Sequence, residues 1–528
     1  MTQKFNFALA RQAPAALVCI ALAAPAGWAA AQPVAAPQAA PALPSLGDAG
    51  AMTPLQERKL GDLIAADLYR DSTYLDDPIL GEYVDGIWRT LLAGARARGE
   101  LPPELDERFA WQVLVGRDSA INAFSLPGGY FGLNTGLLGT VASRDELASV
   151  LGHEMAHVAQ RHIARMIGKQ ERETPLMLAS MLLGILAAGS NPQAGAALAV
   201  GGQAAMIQRQ LNFSRDMERE ADRIGYGIMT QAGFEPEGFV SMFEKLQNAS
   251  RINDNGDWPY LRSHPLTTER MADMQQRQQN LPPHAAPPPD LEALLIAARA
   301  RVLGRPGVDV LRSWASEPDQ PGFASQPLAR RAGALYAAAM AEAELRDLPR
   351  AQGRATQLAL AVTGDLRAAR QARLLQAELA LRAGLPARTL ELLPTKAGRP
   401  AGAAAPSQAG RAALLLRAQA QTASGQAGEA SSALQPWLSD HPRDAGAWQA
   451  LAQAWAAQGQ TLRQLRAEGE VHLAHLDYAG AVNRWRAAQD LSSKQPDADL
   501  IEASIIDTRL REGRELLRQQ ERNEKELQ

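Results

Sequence analysis

Residues His153-Glu154-Met155-Ala156-His157 put two imidazoles at i and i+4, one helical turn apart and on the same face. Zinc takes nitrogen ligands at about 2.0–2.1 Å, and this spacing lets both rings converge on one ion without bending the helix. Glu154 lies beside them, suited to take a proton from a water that the metal acidifies toward pKa ~7. A five-residue motif of this kind also arises by chance in long sequences, so its context decides its meaning. Two histidines leave a catalytic zinc one protein ligand short of three. His162, Glu218, Glu220 and His264 are the candidates for the third.

The segment Ser214-Arg215-Asp216-Met217-Glu218-Arg219-Glu220-Ala221-Asp222 is the informative one. Glu218 and Asp222 are i, i+4 and share a helix face, while Glu220 points away from it. That arrangement suits Glu218 as a ligand, with Asp222 accepting a hydrogen bond from a ligand imidazole, His153, and so fixing its tautomer. The competing reading is an exposed helix laced by ion pairs among Arg215, Glu218, Arg219 and Asp222. His162, five residues past His157, is rotated off the metal face and reads as structural. His264 stands next to Pro265 on a predicted loop, where it is a fourth ligand that silences the site, an oxyanion stabiliser or a helix cap. Arg270 is an oxyanion stabiliser or, more simply, a salt-bridge partner.

The elements around these residues are mostly helical. Alanine is abundant and aromatics are few, which favours helices packed on helices. Helical periodicity begins at Thr53, with Leu60, Leu63, Ile64 and Leu68 on one face, and a second helix covers Ile79 to Ala93. Phe109 to Val115 reads as a strand, and Ile121 to Leu138 as a hairpin bent at Pro127-Gly128-Gly129. Part of that hairpin, Ala123, Phe124, Ser125 and Leu126, is a candidate edge strand for an extended peptide, or else an ordinary core hairpin. Ser143 and Glu146 form a capping box that opens one helix running through the motif to Ile167. Residues 175–208 are strongly apolar but interrupted, and their first unbroken stretch falls short of the ~20 residues of a bilayer span. They read as a buried helical hairpin or as a lid that touches membrane or unfolded substrate.

The chain divides in the sequence into an export signal at 1–31, a flexible leader at 32–52, a domain carrying the metal motif at 53–280, a Pro-rich linker at 281–290 and a repeat domain at 291–528. Lys4 and Arg11 precede the apolar run Ala13 to Ala24 and the small-residue cleavage site Ala29-Ala30-Ala31, so export to the periplasm is expected. Val18 before Cys19 does not suit lipid attachment. Cys19 is the only cysteine, so a cleaved protein has neither disulfides nor thiolate ligands. Past the linker, Gly425, Ala430, Leu434, Trp437 and Pro442 fit one tetratricopeptide repeat and Trp448, Leu451, Ala452, Trp455 and Gly459 the next. Asp477 to Ala488 is a third fragment, 333–351 and 374–393 are degenerate units, and 395–407 is an insertion between them and the clear repeats. A plain helical bundle is the alternative. The 54 basic and 57 acidic residues, formal charge −3, give no basis for a nucleic-acid partner.

The motif with the Val-Ala-Gln-Arg-His that follows it, together with SRDMEREADRIG, resembles the peptidase family of CAAX prenyl proteases and heat-shock membrane proteases. Asn122 to Leu138 and Ser263-His264-Pro265-Leu266-Thr267 are similar to its exported, repeat-bearing subgroup. The resemblance is strong from Thr53 to about Gln279 and architectural beyond. It implies a mainly α fold with a small β-sheet, a zincin-type domain followed by an α-solenoid, and one Zn2+ on His153, His157 and Glu218. It also implies Glu154 as general base, Asp222 behind a ligand and, at His264, a loop histidine that can cap the zinc. The implied work is on misfolded or stalled outer-membrane proteins, with the repeats assisting at the outer-membrane assembly machinery and peripheral membrane contact possible. The chain lacks the cysteines with which some relatives could tie their repeats. A repeat scaffold or chaperone whose peptidase site is mostly silent is the rival function, its concave surface binding peptides.

Overall fold

The computed structural model describes residues 52–168, 214–252, 259–279, 287–394, 410–494 and 499–527. The export signal, the leader up to residue 51, the apolar segment 175–208, the insertion 395–407 and linker residues 281–286 lie outside the described residues.

The first described helices are α1 (Pro54–Arg70), α2 (Pro78–Ala97) and α3 (Pro103–Arg108). Thr53 caps α1 in a reciprocal box with Gln56, and Asp77 caps α2 by accepting from Leu80 N at 2.8 Å. Three strands follow, β1 (Gln112–Gly116), β2 (Ala123–Leu126) and β3 (Tyr130–Asn134), in the order β1-β3-β2. β3 pairs parallel with β1 and antiparallel with β2, which leaves β2 on an edge among the described residues. The bend between β2 and β3 is made by Gly128 (φ 71°) and Gly129 (φ 82°). A Cβ on Gly128 would lie 2.7 Å from Arg58 Cα, so this turn seats against α1 only as glycine.

After the short α4 (Thr135–Leu138) comes the motif helix α5 (Arg144–Ala159). Ser143 accepts from Glu146 N at 3.2 Å, but Glu146 does not reciprocate. Its carboxylate takes Ala142 N, Ser241 Oγ and Lys245 Nζ instead, so half of the predicted box forms. The predicted single helix to Ile167 is also interrupted. Arg161 sits at φ 53°, and α6 (His162–Gly168) starts afresh after it. The cause is distant in sequence: Arg161 is drawn to Glu57 at 2.5 Å and to the Met52 carbonyl. Left-handed backbone at a non-glycine residue is tolerated only when surroundings fix it.

The glutamate helix α7 (Arg215–Gln231), capped by Ser214, crosses α5 where Gly152 meets Gly225. A Cβ on Gly225 would stand 2.9 Å from the Gly152 carbonyl and from His153 N, so the two backbones touch. Then follow α8 (Glu237–Ile252), α9 (Pro259–Ser263) and α10 (Thr268–Gln279). Among the described residues that remain, the elements are helical: α11 (Leu291–Leu303), α12 (Val308–Ser316), α13 (Leu328–Glu344), α14 (Leu348–Ala361), α15 (Leu366–Arg382), α16 (Pro386–Leu392), α17 (Arg411–Ala423), α18 (Ala427–Asp440), α19 (Ala445–Ala457), α20 (Thr461–Ala474), α21 (Tyr478–Ser492) and α22 (Leu500–Leu527). The fold is thus mainly α with one small sheet and a helical repeat region, as the sequence implies.

At the repeat positions named above, Ala430, Leu434, Leu451, Ala452 and Trp455 are buried together, and Gly425 and Gly459 take positive φ just past α17 and α19. The helices on the two sides of the linker share one core. Ala293, Ile296 and Ala300 of α11, and Leu374 and Leu416 further on, pack in the same apolar cluster as the motif helix. Asp290 caps α11 and also accepts from Arg144 N at 3.0 Å, serving two helix N-termini at once. Buried Arg299 reaches both ways, to Asp77 at 2.6 Å and to Glu378 at 2.7 Å.

Two predictions arise. Gly225→Val, which drives a side chain into backbone that cannot yield, lowers stability by about 1–3 kcal/mol in urea unfolding. Burial raises the Asp77 carboxyl, and Arg299 more than reverses this, holding it below the usual carboxylate range. A lowered carboxylate pKa stabilises above the unfolded value and loses that contribution as pH falls through the folded one. Arg299→Leu, which leaves a buried charge unpaired, therefore costs about 3–5 kcal/mol at neutral pH. The gap to wild type narrows as pH falls from the raised carboxyl value of buried, unpaired Asp77 in the variant to the lowered value it has beside Arg299; a gap that does not change with pH would contradict the pairing.

Candidate metal centre

α5 brings His153, Glu154 and His157 to the crossing with α7, and α7 brings Glu218 and Asp222. The segment after α9 adds His264, whose backbone N–H is held by the Tyr260 carbonyl at 2.9 Å and whose ring lies against the Tyr260 ring. All of these side chains are at most 2 % exposed.

Four of them converge. His153, His157, Glu218 and His264 each offer one donor atom within 4.8 Å of the others. His153 Nε2 lies 3.0 Å from His157 Nε2 and 3.5 Å from Glu218 Oε2, and His157 Nε2 lies 3.5 Å from Glu218 Oε1. His264 Nδ1 stands 3.0 Å from Glu218 Oε1 and 3.4 Å from His153 Nε2. A tetrahedron of ligands at zinc distances has edges of about 3.3–3.4 Å, so the donor set fits zinc in both kind and spacing. Bare imidazole nitrogens facing each other in a dry site are otherwise unfavourable, which a shared cation relieves.

The electrostatics of His157 and Glu218 agree with that fit. Burial, and next the neighbouring His153, drive His157 well below the usual histidine value, leaving it neutral with a lone pair to donate. Burial would raise Glu218, but His264 and His153 outweigh it and hold the carboxyl well below its ordinary range. For His153 burial opposes charge, and its bonds to Asp222 and Glu218 win, bringing it to about 9 in the absence of metal. Burial pushes the Glu154 carboxyl up. Among the described residues Glu154 has no well-formed hydrogen bond; its nearest ion-pair contact is His264 Nε2 at 3.4 Å.

Behind the donors stands a second set. His153 Nδ1 meets Asp222 Oδ1 at 3.0 Å, the contact expected from the sequence. Arg270 then grips Asp222 with Nε at 2.6 Å and Nη2 at 2.7 Å, reaches Glu218 Oε2 with Nη1 at 2.8 Å, and donates to the Pro265 carbonyl at 2.9 Å. Of the two roles considered for Arg270, the salt bridge is the one observed. The break at Arg161 returns His162 toward His157, with their Nδ1 atoms 2.8 Å apart. Glu220, which points away from the donors, meets His162 Nε2 at 3.1 Å and Arg165 Nη2 at 2.9 Å. Burial would raise Glu220, and these two partners bring it to about 2. Sequence reasoning missed the parts played by Glu220 and Arg165. Arg270 three residues after Thr267 carried no spacing signal, whereas His162 five residues past His157 was visible but misdirected by the assumption of an unbroken helix.

The candidate peptide strand, Ala123, Phe124, Ser125 and Leu126, is β2, the sheet edge that packs on α5.

Residues 95–278 match the model of peptidase family M48. Over 298 residues the chain is 35% identical to the putative beta-barrel assembly-enhancing protease of Vibrio cholerae, covering 56% of this chain and 57% of that one. Over 436 residues it is 30% identical to the beta-barrel assembly-enhancing protease of Escherichia coli, covering 80% and 82%. It is also 35% identical over 164 residues to the mitochondrial metalloendopeptidase OMA1 of Arabidopsis thaliana, 31% of each chain. The match thus spans little more than half the length of the first of these relatives and most of the second. A buried His, His, Glu and His cluster on two crossing helices and a loop accompanies that shared sequence, and the chain belongs to peptidase family M48.

Proposed function

We propose that this chain is a zinc metalloendopeptidase of the bacterial envelope that acts on misfolded or stalled outer-membrane proteins. The observation that carries the reading is the convergence of His153, His157, Glu218 and His264 from separate segments into one buried cluster. The names of the relatives support a role at outer-membrane assembly. Export to the periplasm is supported by the charged and apolar pattern of residues 1–31.

His153, His157 and Glu218 would hold the zinc. The chemistry it supplies when bound is Lewis acidity, polarising the scissile carbonyl and acidifying a water. Glu154 takes the proton from that water and later delivers it to the leaving amine. Its burial suits this work, because desolvation raises the carboxyl above its usual range and so favours its accepting a proton. Asp222 holds His153 with Nε2 bare, and Arg270 fixes Asp222 and Glu218 together. The substrate lies along β2, adding a strand to the sheet through main-chain bonds that tolerate many sequences. The repeats bind the same clients, or the assembly machinery, on their concave face and give chaperone-like assistance.

His264 is the switch in this reading. Its Nδ1 joins the donor cluster while its Nε2 lies 3.4 Å from Glu154, so in the described conformation it would serve as a fourth ligand while standing beside the base. The same contacts favour the second reading, a mostly latent peptidase that works as a repeat scaffold. Peripheral membrane contact belongs to the proposal through residues 175–208, on sequence grounds alone.

Two substitutions test these roles. Glu154→Gln keeps zinc but lowers cleavage of an unfolded outer-membrane protein by at least 10²-fold, as loss of a general base does; normal turnover would remove Glu154 from the mechanism. His264→Ala raises cleavage of the same substrate, followed by gel or fluorescence. Reduced cleavage would contradict the inhibitory role and favour oxyanion stabilisation, and cleavage by neither wild type nor this variant would favour the scaffold.

A further inference from the structure

Each imidazole of the motif has two nitrogens, and only one can face the donor cluster. His153 keeps its Nδ1 on Asp222 directly. The Nδ1 of His157 faces another imidazole nitrogen, His162 Nδ1, at 2.8 Å, with the rings nearly perpendicular. Two nitrogens at that separation need one hydrogen between them: none leaves lone pairs opposed, and two collide.

The hydrogen can be assigned from the far end. His162 Nε2 faces Glu220 Oε2 at 3.1 Å, and a carboxylate only accepts, so the His162 proton sits on Nε2. Arg165 lies 2.9 Å from the same oxygen and balances its charge, and because His157 belongs to the donor cluster through Nε2, the single hydrogen between the two Nδ1 atoms belongs to His157. His162 Nδ1 is then bare and accepts from His157 Nδ1–H. That leaves His157 Nε2 with its lone pair aimed at His153 Nε2 and Glu218 Oε1.

We infer that His162 and Glu220 are positioning residues which hold His157 in its metal-binding tautomer, a carboxylate acting on a ligand through an intervening imidazole. The inference rests on the metal reading above. It also gives the break at Arg161 a purpose: a helix continued unbroken would carry His162 away from His157, whereas the turn fixed by Glu57 brings its ring back.

The test is zinc affinity of the purified chain, read by competition with a chromophoric chelator. Glu220→Leu and His162→Leu are predicted to bind zinc 10–100-fold more weakly, the usual loss when a group orienting a ligand is removed. Glu220→Gln, whose amide oxygen still accepts from His162 Nε2–H, retains most of the affinity. Thermal melting of the metal-free proteins separates lost tautomer control from lost folding. Independently of any substitution, 15N-histidine NMR of the zinc-loaded wild type is predicted to show a bare Nδ1 on His162 and a protonated Nδ1 on His157. Leucine variants that fold and bind within twofold of wild type overturn the relay, as does a proton on His162 Nδ1. A wild type that takes up no zinc overturns the metal reading itself, a different result from either.

Discussion

The contact between α5 and α7 at Gly152 and Gly225 is the constraint on which the site depends. Donors on two different helices meet at one point only if the backbones approach to contact, since the Glu218 side chain is short relative to an ordinary interhelical distance of 8–10 Å. Glycine on both sides of the crossing removes the Cβ atoms that would hold the helices apart. From that crossing, His153 and His157 look down one face of α5, Glu218 and Asp222 look back from α7, and a buried cluster forms.

A site so thoroughly buried must answer for its charges. Glu218, Asp222 and Glu154 are carboxyls in a dry interior, where an uncompensated charge costs several kcal/mol. Arg270 answers two of them with one guanidinium and ties the result to the carbonyl next to His264. Arg165 and Glu220 do the same behind His157. The arrangement makes geometry and charge the same problem: the groups that neutralise the cluster also set which nitrogen of each histidine faces it. On a larger scale Arg299 repeats the device, joining Asp77 before the metal centre to Glu378 in the repeats.

Much of this was legible from spacing. His153 and His157, and the pair Glu218 and Asp222, are i, i+4 relations that a helix converts directly into shared faces, and the hairpin bend announced itself in Pro127-Gly128-Gly129. The parts that were not legible are those fixed by contacts far apart in sequence. Nothing at Gln160-Arg161-His162 signals a helix break, because the left-handed residue is an arginine held by Glu57, more than a hundred positions away. Glu146 has the spacing of a capping box, yet Lys245 and Ser241 of α8 claim its carboxylate. The linker suggested separation, while the core residues Ala293, Ile296 and Ala300 just beyond it pack with the motif helix. Alanine-rich periodicity shows that a helix has an apolar face but not which neighbour covers it.

The central claim is that His153, His157 and Glu218 hold one metal ion. Counting zinc per chain on the purified protein, beside Glu218→Ala, tests it most directly. The account predicts one zinc in the wild type and its loss or marked weakening in the variant. A folded wild type without zinc, or a variant that binds it undiminished, would contradict the account.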